Sequence, residues 1–91
     1  MAVTVRIPTQ LRQLSGGANE VAVEPGTVGE IVKQLEAQHN GFAERLLDEQ
    51  GNLRRFVNVF VADEDVRFLN GLDTPVPDGE TVSIVPAVAG G

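Results

Sequence analysis

Apolar residues recur at helical spacing over only one sustained stretch of this chain. Most of the sequence around it alternates at period two. Val28, Ile31, Val32 and Leu35 fall on one face of a helix. Thr27 stands in front of them with Glu30 three residues later, which is the pattern of a reciprocal N-terminal cap. Asn40-Gly41 tolerates a left-handed backbone and closes the segment, so the spacing predicts a helix over about Thr27–His39. One amphipathic helix has one apolar stripe to bury. Among strands, that stripe must cover one face of a sheet.

The strands are read from their alternation. Val3, Val5 and Ile7 are separated by Thr4 and Arg6, and Pro8 ends the run because it has no N–H for a ladder. After Ser15-Gly16-Gly17, Asn19–Val23 alternates again and Pro25-Gly26 closes it, so the first two strands read as a hairpin. Phe42, Leu46 and Leu47 predict a short second helix or helical turn before Gly51-Asn52. In Phe56–Val61, the residues Val57, Val59 and Val61 face inward. Phe56, Asn58 and Phe60 face outward. Val66-Arg67-Phe68 reads as a short strand, and Thr81–Val85 as the last one, with Val82 and Ile84 inward and Val85 outward; Pro86 is expected to end it. The order is two strands, a helix, a helical turn and three strands. This gives an α+β fold: a mixed sheet of about five strands under one main helix, the β-grasp arrangement of ubiquitin, in residues 1–91 as a single domain. By analogy with that arrangement, the last strand runs through the centre of the sheet.

Composition removes several kinds of chemistry. The chain has no cysteine, which excludes disulfides, thiolate nucleophiles and cysteine metal sites. Thirteen acidic residues outnumber seven basic ones for a net charge of −6, and four phenylalanines are the whole aromatic inventory. Nucleic-acid binding wants a basic footprint and stacking platforms, so it is not expected. The net acidity would steer the chain toward a basic partner. No apolar run is long enough to span a membrane, and the N-terminus lacks the apolar block of a secretory signal, so a cytoplasmic location is expected. Ala62-Asp63-Glu64-Asp65 lacks the alternating ligands, central glycine and distal glutamate of a calcium loop and reads as a charged turn. His39 has no second ligand near it in sequence and is expected to sit in the last turn of the helix, where a cation is favoured by the helix dipole. No metal site and no catalytic residue is expected.

The last six residues, Pro86-Ala87-Val88-Ala89-Gly90-Gly91, cannot build structure, because glycine loses the most freedom on ordering. Such an end is either loose or a thin, side-chain-free lead that threads into another protein's active site. What precedes it bears on the choice. Asp78-Gly79-Glu80-Thr81-Val82, the strand through Val85 and the tail to Gly91 resemble the ThiS/MoaD family of ubiquitin-like sulfur carriers over the whole length. Within the family, Arg55–Val61, Asp63–Phe68 and the tail are most similar to the carriers of actinobacterial cysteine synthesis.

The resemblance implies a protein cosubstrate rather than an enzyme. An ATP-dependent adenylyltransferase of the ubiquitin-activating type would activate the Gly91 carboxylate, and a sulfur donor would convert it to a thiocarboxylate. A synthase, of the cysteine or thiosugar kind, would receive the sulfur, and a metalloprotease would trim the tail. Val88, Ala89 and Gly90 would enter partner active sites. The carrier would bind no cofactor tightly, ATP being used by the activating enzyme. Phe60 and Val85, with Phe56, would form the docking face, an exposed apolar patch on the strands that lead to the tail. Other readings of the same ending are a ubiquitin-like modifier joined to lysines, a small subunit of molybdopterin synthase that inserts its tail into a permanent partner, and a plain interaction domain.

Overall fold

A computed structural model describes residues 2–86. These residues form a five-stranded sheet in the order β2 (Glu20–Val23), β1 (Val3–Arg6), β7 (Thr81–Pro86), β4 (Val57–Val61) and β5 (Glu64–Asp65). Strand β1 (Val3–Arg6) pairs antiparallel with β2 (Glu20–Val23), Val3 opposite Val23 and Val5 opposite Val21. Strand β7 (Thr81–Pro86) lies between β1 and β4 (Val57–Val61), parallel to β1 and antiparallel to β4. The last strand is therefore central, as the β-grasp analogy implied. Alternation does the sorting: Val3, Val5, Val21, Val23, Val57, Val59, Val61, Val82 and Ile84 are all buried on the inner face.

The helix α1 (Val28–Gln38) covers that face with Val28, Ile31, Val32 and Leu35. Its cap is the reciprocal one the sequence predicts. The Thr27 Oγ1 accepts the Glu30 N–H at 3.2 Å, and the Glu30 carboxylate accepts the Thr27 N–H at 2.8 Å. Two glutamines of α1 also close the open edge of the sheet. Gln34 accepts from the Glu24 N–H at 2.7 Å and donates to the Glu24 carbonyl at 3.0 Å, and Gln38 donates to the Ala22 carbonyl at 3.1 Å. Side chains thus occupy backbone groups that would otherwise invite another strand.

His39 does not lie within the last helical turn. It is the C-cap residue, extended at φ −142°, and its ring meets Phe42 edge-on at 6.3 Å. The predicted helical turn is α2 (Phe42–Leu46), with Phe42 and Leu46 fully buried. Gly41 precedes it at φ 109°, a conformation that suits glycine, and a Cβ there would come within 3.0 Å of Leu14. The Glu36 carboxylate fixes this junction by accepting the N–H groups of Gly41 and Ala43.

Three local expectations change. Val66–Phe68 is a helical turn and not a strand: the Asp65 carboxylate accepts the Arg67 N–H at 2.9 Å, Val66 is buried, and Arg67 and Phe68 are exposed. The charged turn shrinks to Ala62 and Asp63, both at positive φ, and Glu64–Asp65 becomes the edge strand β5. Pro86 does not stop the last strand but belongs to it, opposite Val57. A second, two-stranded sheet joins β3 (Gly26–Thr27) to β6 (Pro75–Val76) and ties the start of α1 to the loop before β7.

Candidate functional site

The site is built around the end of β7. This strand is held on both sides, with Thr81, Val82 and Ser83 against Thr4, Val5 and Arg6, and Val82 to Pro86 against Val61 to Val57. Val82 and Ile84 anchor it in the core. Both ladders hold the strand as far as Ser83, and from Ile84 to Pro86 the ladder with β4 alone carries it. Val88, Ala89, Gly90 and Gly91, the predicted tail residues, lie outside the described residues.

The outer face of the sheet carries the three predicted docking residues in different environments. Val85 is 45% exposed and stands opposite Asn58. Phe60 is half-buried, opposite Ser83 on β7 and Asp65 on β5, which makes it a diagonal neighbour of Val85. Phe56 is 52% exposed and precedes β4. Arg67 crosses this region: one guanidinium nitrogen donates to Asn58 Oδ1 at 2.7 Å and another to the Arg54 carbonyl at 2.6 Å. It fixes Asn58, the residue facing Val85, and joins β4 to the loop before it. The helical turn at Val66–Phe68 is what aims Arg67 this way, so reading that segment as a strand hid the contact.

Two open hollows meet at Pro86. One, of about 440 Å³, has Arg6, Arg12, Glu20, Ser83, Val85 and Pro86 among its lining. The other, of about 380 Å³, has Arg45, Asp48, Arg54, Arg55, Phe56 and Pro86. The arginines were not singled out in the sequence, where only Arg54-Arg55 are adjacent. Among the described residues, no group of three or more histidine, cysteine or carboxylate side chains is arranged to hold a metal ion. No helix there is long and apolar enough to cross a membrane.

A helix-covered mixed sheet with its last strand in the centre is a ubiquitin-like β-grasp fold, and known proteins share it. The profile of the ThiS family matches residues 5–91, and the chain belongs to that family. It is 52% identical over 93 aligned positions to the sulfur carrier protein CysO of Mycobacterium tuberculosis (strain ATCC 25618 / H37Rv), covering the full length of both. In the crystal structure of the Amycolatopsis orientalis BexX/CysO complex, a chain 52% identical superposes with a TM-score of 0.93 over 99% of this chain and 100% of that one. The small archaeal modifier protein 3 of Haloferax volcanii is 41% identical over 68 residues, which is 75% of this chain and 73% of the other.

Proposed function

We propose that this protein is a sulfur carrier that works as a cosubstrate, with the Gly91 carboxylate as its reactive group. A carboxylate is a resonance-stabilised anion and a poor electrophile. In the first step an activating enzyme joins the Gly91 carboxylate to the α-phosphorus of ATP and releases pyrophosphate. In the second step a sulfide equivalent attacks the acyl carbon, AMP leaves with the bonding pair, and a thiocarboxylate remains. Gly90 and Gly91 carry no Cβ to obstruct a narrow channel, and Val88 and Ala89 enter with them. A synthase then takes the sulfur, to make cysteine or a sulfur-containing metabolite, and a metalloprotease trims the tail if the product stays attached. ATP belongs to the activating enzyme, and the carrier binds no cofactor of its own.

The observation that supports this reading most is the full-length identity of 52% to a sulfur carrier protein. The central β7, paired with β4 as far as Pro86, agrees with it, because a tail that must reach a buried reaction centre benefits from a rigid root. The decisive experiment is intact-protein mass spectrometry after incubation with ATP, sulfide and the cognate activating enzyme. Exchange of one oxygen for sulfur raises the mass by about 16 Da, and the activated acyl intermediate must precede it. Removal of Gly91 should abolish the exchange and leave the melting temperature unchanged. Exchange that survives the deletion would sink the proposal.

A second reading, covalent attachment of Gly91 to lysines, draws on the 41% identity to a small archaeal modifier protein. Higher-mass conjugates that disappear with Gly90 and Gly91 would support it.

A further inference from the structure

The chain is acidic, but its cations are not spread evenly. Six of its seven basic residues are arginines, and five of these line the two hollows that share Pro86: Arg6 and Arg12 in one, Arg45, Arg54 and Arg55 in the other. Only two carboxylates, Glu20 and Asp48, are in the same linings. The end of β7 is therefore ringed by a local excess of positive charge in a protein of net charge −6. Arg6, Arg45, Arg54 and Arg55 are exposed, and Arg12 is half-buried. The bonds that hold them go to neutral oxygens: Arg12 Nε donates to the Ile7 carbonyl at 3.1 Å and Arg54 Nε to the Glu44 carbonyl at 3.0 Å. Such bonds orient the guanidinium groups. Carboxylates do stand near some of them: Glu20 opposite Arg6 on β2, Asp63 and Glu80 in a neighbouring hollow of Arg6, and Glu49 in one of Arg54. The positive excess therefore belongs to the two hollows at Pro86 themselves.

We infer that this arginine collar docks on an acidic protein surface rimming the active site of the enzyme that activates the tail. The inference rests on the carrier reading and adds the chemistry of the partner's surface. It reverses the expectation drawn from net charge, because the end that must approach the partner is positive while the rest of the molecule is negative. That asymmetry orients the encounter tail first and speeds association. A small anion would need the arginines to converge on one point, whereas here they are divided between two hollows on either side of the strand. Nucleic acid would find a repulsive net charge and no stacking platform. A protein rim that surrounds the emerging chain fits both hollows at once. The guanidinium fork suits carboxylates in pairs.

The test is the rate of thiocarboxylate formation as a function of carrier concentration, using the full chain and its cognate activating enzyme at low and high salt. The unaltered chain should show a KM for carrier that rises several-fold with salt and a nearly constant kcat. Arg6→Glu and the pair Arg45→Glu/Arg55→Glu should each raise KM at low salt by about tenfold and flatten the salt dependence. Lys33→Glu, at one of the two cations outside both hollows (the other is Arg67), lies on exposed helix surface and should leave KM within about twofold. Melting temperatures of all variants establish that they fold, and the salt dependence of the unaltered chain needs no variant at all. Conversion of the unaltered chain with a salt-independent KM, or unchanged KM in the folded charge reversals, overturns the docking inference alone. No conversion of the unaltered chain overturns the carrier reading and the docking inference with it.

Discussion

The two faces of the central sheet come from the same strands and differ in almost everything else. On the inner face, Val3, Val5, Val59, Val82 and Ile84 are closed over by Ile31, Val32 and Leu35 of α1. On the outer face stand Arg6, Ser83, Asn58, half-buried Phe60 and exposed Val85. The inner face needs only size and apolarity. The outer face carries a mixture of polar and apolar groups, among them Asn58 bonded to Arg67 and the proposed docking residues Phe60 and Val85. Stability is concentrated on the inner side, and the docking proposed above falls on the other; a carrier that docks there would need this division, because its docking surface would have to stay open while its body stays intact.

That division can be broken by substitution. The largest effect is expected on the inner side. Leu35→Ala should cost about 2–5 kcal/mol in chemical denaturation, from lost apolar burial and the cavity left beneath α1. A cost near zero would mean that the helix is not the lid of the core. The next effect belongs to the outer side. Phe56→Ala should weaken binding to the activating enzyme by roughly 1–2 kcal/mol, read by titration calorimetry. Its own stability should change by no more than about 0.5 kcal/mol, as befits a half-exposed side chain. A variant that unfolded as readily as the inner-face ones would erase the distinction between the faces. The smallest effect sharpens the comparison at the edge of the core. Thr27→Ala removes one half of the reciprocal cap and should lower stability by about 1 kcal/mol, leaving thiocarboxylate formation at saturating carrier unchanged.

Much of the inner side is legible in the sequence, because it is written in local spacing. Period two in Val3–Ile7 and Val57–Val61, period 3.6 from Val28 to Leu35, and Thr27 with Glu30 each report on neighbours within one turn or one pleat. Val66–Phe68 shows the limit of that signal. Three residues with an exposed one between two apolar ones satisfy either period, and the choice fell to Asp65, whose carboxylate caps the turn, and to the burial of Val66 against the core. The left-handed pair Ala62 and Asp63 was equally hidden, since neither is glycine.

The linear chain by itself determined which residues of the long strands and the main helix would be buried, where that helix would begin and end, and that two glycines stand beyond the last strand. Local steric and hydrogen-bonding preferences act over a few residues, so they can be read in order. Only the tertiary structure decided that Arg6 and Arg12 would share the end of β7 with Arg45, Arg54 and Arg55. That meeting depends on the parallel pairing of β1 with β7 and the antiparallel pairing of β7 with β4, contacts between segments tens of residues apart. Coulomb interactions depend on distance in space, and separation along the chain carries no information about it until the sheet has formed.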